Sequence, residues 1–345
     1  MIPKEEKMVR VAIIGAGFMG SMHAEVYSQL PNVKIAAIVD QRGEKAKSLA
    51  EKFGALPYLT ADQVLAKPEI TIVDICLPTF LHKEYVIKAA QAGKDIVCEK
   101  PIALTLEDAQ EMVRVCKERK VRFMVAHVIR FWPEYTFVKK NYDQGRFGKL
   151  VTITCTRLSP KPTWGWQNWL LDNKRSGGAL FDLHIHDVDF ILYLLGQQPL
   201  SLYSRGTFSE EEGYTHVFTT YSFPEGVTAF AEGGWDMTSN FPFEMKFIAQ
   251  FEKAIVDFDS TSDPTLTVYY ADGRIDRPQV ERKASQVSGG NISDLGGYFF
   301  ELNYFIDHVV HNKEFQVITP EDAVRSLEVI LKEKESLDRG SIIKL

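Results

Sequence analysis

Long apolar runs are missing from this chain of 345 residues. Nowhere do about eighteen apolar residues follow one another, the least that a membrane-crossing helix needs, so no membrane span is expected. A surplus of positive charge is missing as well. Forty Lys and Arg stand against 46 Asp and Glu, a net charge of −6, and this argues against a basic face that would neutralise nucleic-acid phosphates. Cysteine is scarce. Cys76, Cys98, Cys116 and Cys155 show no C-x-x-C spacing, and three of them sit in apolar strand-like or helix-like runs. They read as reduced core residues of a cytoplasmic protein. No internal repeat or low-complexity segment is present. The first seven residues carry charge of both signs, and the apolar stretch after them is too short and glycine-broken for a secretory signal. What remains is an ordinary globular composition, 45% hydrophobic and 25% charged, at a length that suits two domains.

The chain is organised around residues 11–20. The apolar run Val11 to Ile14 leads into Gly15, Gly17 and Gly20, with Ala16, Phe18 and Met19 between them, and a helix-compatible stretch follows. This is strand, tight turn and helix with G-x-G-x-x-G spacing. Gly15 permits the turn, Gly17 lets a pyrophosphate approach the backbone, and Gly20 lets the helix pack on the strand. The helix N-terminus offers free N–H groups and partial positive charge to the phosphates. A second apolar strand, Lys34 to Val39, ends in Asp40, about twenty residues past the last glycine, where a dinucleotide site places its ribose-binding carboxylate. Asp40 favours NAD by repelling a 2′-phosphate, while Arg42 nearby keeps NADP open.

Further strand-like runs at Ile70–Leu77, Asp95–Cys98 and Val121–Ala126 alternate with helical stretches, which predicts a doubly wound parallel sheet. Ligands of such sheets bind beyond the carboxyl ends of the strands. That rim gathers Gly15, Asp40, Leu77, Pro78, Thr79, Glu99, Lys100 and His127. Lys100 stands out there, because an ammonium beside Pro101 at a strand end can polarise a substrate oxygen. From Lys149 short alternating strand-like runs separated by turn signals predict a mostly antiparallel sheet, one face covered by helices and the other open to solvent or to a second copy. The expected division is residues 1–128 as dinucleotide-binding domain and 129–345 as substrate-binding and oligomerisation domain.

Two pieces of the second half carry chemistry. Trp164, Trp166 and Trp169 cluster in a polar loop, where aromatic faces either cover the C–H faces of a sugar or anchor the loop to the core. Downstream, Asp182, His186 and Asp189 fall at i, i+4 and i+7 of a helix, on one face. A histidine beside a carboxylate is a general-base arrangement. Metal binding by His184, His186 and Asp189 is the rival, but His184 and His186 diverge by roughly 200° on a helix, and no metal is expected.

In combination these residues resemble the glucose–fructose oxidoreductase, inositol dehydrogenase and MocA (Gfo/Idh/MocA) family over nearly the whole chain. The resemblance rests on Gly15–Gly20 with His23, on Glu99-Lys100-Pro101, on Arg130 and Pro133, and on Gly177-Gly178 leading to Asp182, His186 and Asp189. It implies a Rossmann domain, then an α/β domain whose open sheet is often an oligomer interface, giving a homodimer or homotetramer. It also implies NAD(P)-dependent oxidation of a sugar, polyol or inositol hydroxyl, or the reverse. By position Lys100, Asp182 and His186 look like the catalytic residues. Phe18, Met19, Pro78, Thr79, His82, Glu99, His127 and Arg130 look like cofactor-side residues, and Tyr298 looks like one that reaches the substrate. His184 departs from the small residue common at its position, which implies an altered pocket.

Overall fold

Runs of β-branched and aliphatic residues, each followed by helix formers, build the first part of the molecule. A computed structural model describes residues 8–281 and 295–345; the charged stretch 1–7 lies outside the described residues. Strands β1 (Val9–Ile14), β2 (Val33–Val39), β3 (Leu56–Tyr58), β4 (Ile72–Ile75), β5 (Asp95–Glu99) and β6 (Phe123–Ala126) alternate with α1 (Phe18–Gln29), α2 (Gly43–Phe53), α3 (Asp62–Leu65), α4 (His82–Gln91) and α5 (Leu106–Arg119). The sheet order is β3-β2-β1-β4-β5-β6, and every pair is parallel. Val11, Ile13, Ile72, Val73, Ile96 and Val97 are fully buried, as a sheet covered on both faces requires. β3 is the strand the sequence did not announce. It has three residues, sits at the edge, and contains Pro57, which cannot donate to a ladder on both sides. Before α3, Gln63 turns its Oε1 to the N–H groups of Leu59 and Thr60, each at 3.2 Å.

The second half forms β7 (Leu150–Pro160), β8 (Ser201–Ser209), β9 (Gly213–Ser222), β10 (Thr228–Met237), β11 (Glu244–Phe251), β12 (Ala254–Asp259), β13 (Leu266–Tyr270), β14 (Ile275–Asp276) and β15 (Ile343–Lys344). They pair in the order β14-β13-β12-β11-β7-β10-β9-β8-β15. All contacts are antiparallel except β7 with β10. Helices α6 (Pro133–Asp143), α7 (Asn173–Ser176) and α8 (Ile185–Leu195) come before β8. On the covered face Tyr135 of α6 and Phe190 of α8 meet edge-on at 4.6 Å and join Phe247 and Phe258 of the sheet. Such aromatic contacts add about 0.5–1.5 kcal/mol each beyond burial. On the other face Phe218, Ile248, Ile255 and Tyr269 stay exposed.

Two more helices end the chain, α9 (Gly296–Val310) and α10 (Pro320–Arg339). Here the structure corrects the expected continuous second domain. The chain divides into one compact unit that runs to Val128 and takes in the stretch ending at Val324, and another that starts at Ile129 and resumes at Arg325. Helix α1 explains the return. Met22, Ala24, Val26 and Tyr27 are all at 0% exposure, so α1 is buried on several sides and needs a cover away from the sheet. Helix α9, with Leu302, Phe305 and Ile306 buried, supplies it. Among the described residues no helix is long and apolar enough to cross a membrane.

Candidate active site

In the glycine turn of the first unit each glycine meets different surroundings. Gly15 sits at φ +106°, and a Cβ there would lie 2.3 Å from the Cys76 carbonyl oxygen. A Cβ on Gly20 would lie 1.8 Å from the Gly15 carbonyl oxygen. Around Gly17 a Cβ would meet nothing within 4 Å, so the backbone faces open space where α1 begins. Phe18 and Met19 are partly exposed beside it. Gly17→Val is therefore expected to keep the wild-type melting temperature and to weaken NAD binding at least 10-fold, read by isothermal titration, since only the ligand side is filled. A melting point that drops with affinity would show that Gly17 serves packing instead.

Asp40 closes the same rim and is buried. Its Oδ2 accepts from the Ala16 N–H at 3.0 Å, and its Oδ1 from the Arg42 N–H and Nε, both at 2.9 Å. Arg42 Nη2 completes a bidentate pair at 2.7 Å. Burial pushes the Asp40 carboxyl up, but the bonds from Arg42 and Ala16 outweigh it and hold the group below the usual carboxylate range. Open space at Gly17, an amide-bearing helix start and a carboxylate at the end of β2 fit a dinucleotide with free ribose hydroxyls. Asp40→Ser is expected to release Arg42 toward a 2′-phosphate. The kcat/KM ratio of NAD to NADP should then fall about 100-fold, two charge-assisted hydrogen bonds at about 1.5 kcal/mol each. An unchanged ratio would mean that Asp40 does not select the cofactor.

At the ends of β4 and β5, Leu77, Pro78 and Lys100 are partly exposed, and Thr79 and Glu99 are buried. His82 is a correction. His82 is at 0% exposure, with Nδ1 2.9 Å from the Pro101 carbonyl and Nε2 2.9 Å from the Leu77 carbonyl. Both ring nitrogens lie against carbonyl oxygens of the two rim loops, and burial lowers the pKa against the pull of those carbonyls, so the ring presents no edge to a ligand. His127 is likewise buried, at 1%.

In the second unit the expected helix opens with a π-turn, Leu180–His184, that runs into α8. The extra residue of a π-turn rotates all that follows by about 100°. Asp189 accordingly leaves the face of Asp182. It accepts a bidentate pair from Arg130, at 2.8 Å to each oxygen, and a hydrogen bond from Ser326 at 2.8 Å. Arg130, expected on the cofactor side, is thus a buried clamp on α8, with its guanidinium also over the Tyr193 ring at 4.7 Å. Asp187 is held the same way by Arg157, at 2.8 and 2.9 Å. His184, expected near substrate, is at 0% exposure. Its Nε2 lies 2.9 Å from Glu333 of α10, and its ring occupies the room left by Gly233, whose Cβ would come within 2.7 Å of Nδ1. With those side chains turned inward, Asp182 and His186 are the partly exposed polar groups of the segment.

Two family models cover most of the chain. One, described as "Oxidoreductase family, NAD-binding Rossmann fold", matches residues 9–127; the other, "GFO/IDH/MocA C-terminal domain", matches residues 135–276. The chain belongs to the GFO/IDH/MocA family. Among relatives of this family, the scyllo-inositol 2-dehydrogenase (NAD(+)) of Bacillus subtilis is 28% identical over 99% of this chain and 97% of its own. The 2,7-anhydro-N-acetylneuraminate hydratase of Escherichia coli is 30% identical over 68% of this chain and 63% of its own. With that hydratase and two other relatives of similar rank, the match spans between half and two-thirds of the relative's length. The crystal structure of a putative myo-inositol dehydrogenase from Sinorhizobium meliloti superposes with a TM-score of 0.82 at 25% identity, over 98% of this chain and 99% of that one.

Membership in the GFO/IDH/MocA family leaves the tryptophan loop and Tyr298 to be placed. Trp169 packs on a core cluster of Leu170, Ala179, Leu183 and Trp235. Trp166 lies under the Arg175 guanidinium at 5.3 Å, and Trp164 stays 49% exposed. The loop is therefore part anchor and part solvent-exposed aromatic surface. Its turn is made by Gln167 and Asn168, both at left-handed φ near +50°, a geometry costing about 1–3 kcal/mol per non-glycine residue. Tyr298, in the first turn of α9, is 5% exposed with its ring 6.1 Å from that of His23. Asp74 is the residue that sequence reasoning missed. It is an acid in the middle of the fully buried strand β4, and a carboxylate in an apolar run is itself the signal, since burial demands a partner. That partner is His23, at 2.8 Å.

Proposed function

We propose that this protein is an NAD-dependent dehydrogenase acting on a secondary hydroxyl of a sugar, polyol or inositol, in either direction. The observation that carries the reading is the sorting of the His184–Asp189 polar side chains. Asp187 and Asp189 are locked in buried ion pairs and His184 is held against Glu333, and His186 with Asp182 keeps access to solvent. In this reading His186 takes the hydroxyl proton as general base and Asp182 stabilises its charged form. Lys100 stabilises the negative charge that develops on the substrate oxygen. Bound NAD would accept the hydride; Gly17, the start of α1 and Asp40 would hold it. The B. subtilis relative's name, scyllo-inositol 2-dehydrogenase (NAD(+)), and the NAD-binding family description support the substrate class and cofactor. A panel of sugars, polyols and inositols with NAD and then NADP, followed by reduced-nicotinamide absorbance, tests it; absence of turnover across the panel would overturn it.

The E. coli relative named for a hydratase reaction favours a second reading, in which bound NAD takes up a hydride and returns it with no net redox change, as in NAD-dependent glycoside hydrolysis. Product would then form from an anhydro-sugar or a chromogenic glycoside without added cofactor and without a reduced-nicotinamide signal.

The open sheet face supports assembly of two or four copies. Phe218, Ile248, Ile255 and Tyr269 lie exposed on it, an apolar patch of the kind that marks an interface. Ile248→Glu is expected to shift the protein to monomer in light scattering with its circular dichroism unchanged; an unaltered mass would remove this face from the interface. Four free cysteines, three of them buried, accord with a reducing cytoplasmic setting.

A further inference from the structure

Behind the ends of β4 and β5 lies a polar group that the proposed reaction does not use. His23 of α1 is at 0% exposure. Its Nδ1 is 2.8 Å from Asp74 Oδ2, and its Nε2 is 3.1 Å from Glu99 Oε1. The second oxygen of Asp74 takes the Cys76 thiol at 3.4 Å. The second oxygen of Glu99 accepts from the Lys100 N–H at 3.2 Å. These are residue types that metals also use, but His23 Nδ1, the Asp74 carboxylate and the Cys76 thiol are already joined to one another.

Buried charge constrains the ring. Nδ1 is hydrogen-bonded to Asp74, and Nε2 stands 3.1 Å from Glu99 Oε1, at ion-pair distance, with neither atom in an aligned hydrogen bond. Two buried carboxylates beside one ring favour its charged form. The surroundings agree: burial lowers the affinity of His23 for a proton, yet Asp74 outweighs it and the pKa stands well above its ordinary value. Other titratable groups around the cluster keep their protons or add negative charge. Burial raises Tyr27, Cys76 and Cys98 well out of the neutral range, and Glu301 of α9, fully buried, acts on Tyr27 from the far side.

We infer that His23, held as an imidazolium between Asp74 and Glu99, is a positioning residue: it fixes the Glu99 carboxylate that in turn fixes the Lys100 peptide at the end of β5. The inference rests on the proposed role of Lys100 for its effect on turnover, but not for the charge of His23 or its hold on the peptide.

Nitrogen NMR of histidine-labelled protein, with His23 assigned by comparison with His23→Gln, reads the charge directly. The expected signature is two protonated ring nitrogens at pH 7.5; a neutral ring there overturns the inference without any variant having to fold. In His23→Gln the Lys100 amide resonance should move, and kcat should fall 10-fold or more with the NAD dissociation constant changed less than 3-fold. Asp74→Asn should cost kcat by itself but add less than 2-fold on top of His23→Gln, as members of one unit do. An unmoved Lys100 amide, or fully additive effects, would also overturn it. Wild-type protein inactive across the substrate panel would instead sink the dehydrogenase reading, with the ring charge and the Lys100 amide still deciding this one.

Discussion

Lys100→Met is expected to fold, to bind NAD as the wild type does, and to lose turnover by about 10²–10⁴-fold. The methionine keeps the length and the apolar stem of the side chain and removes only the ammonium. The peptide it hangs from is held independently, by the bond from its N–H to Glu99, so the loss would be chemical rather than structural. The split is the informative part. A group that stabilises developing charge acts on the transition state, so kcat should collapse while KM moves little. Lys100→Arg should not restore the rate, because a planar guanidinium spreads its charge and cannot reproduce a compact ammonium at one oxygen. Stopped-flow single turnovers with saturating NAD would separate this from slow product release. A variant that turns over within 3-fold of wild type would take the lysine out of the mechanism.

What is legible in the sequence is a residue's place where that follows from local geometry. The glycines of the nucleotide turn, Asp40 at the end of β2 and Lys100 at the end of β5 all follow from a strand and its immediate continuation, and the structure puts them on that rim. Residues whose role depends on a partner far along the chain were misjudged. Arg130 and His184 were expected to face ligands, yet their partners, Asp189 and Glu333, lie 59 and 149 positions away, and spacing alone cannot pair such groups. The π-turn added a second obstacle. It moves Asp189 off the face predicted from 3.6-residue periodicity while leaving Asp182 and His186 accessible. The return of α9 to the first unit was hidden for a similar reason, since an apolar stripe shows that a helix is covered but not by what.

Arg157→Met should destabilise the second unit by about 3–5 kcal/mol, while the double variant Arg157→Met/Asp187→Leu should recover most of that loss. Arg157 is 1% exposed, bonds Asp187 through Nε and Nη2, and reaches the Tyr135 hydroxyl at 3.3 Å. Removing it strands a carboxylate in the middle of the aromatic core around Phe190 and Phe247, where an unpaired charge is far more costly than a missing pair. At roughly 2–4 °C per kcal/mol for a unit of this size, thermal melting should show a drop of about 10 °C for the single variant. If the double variant melts as low as the single one, the pair itself stabilises the fold and the cost does not come from the abandoned charge. Turnover gives the double variant a second use. The neighbouring pairs Arg130–Asp189 and His184–Glu333 remain in it, and they hold α8 and its π-turn to β6's following segment and to α10. A stable double variant with wild-type kcat would show that those two suffice to aim His186. One that is stable but slow would make the Arg157–Asp187 pair part of what orients the general base.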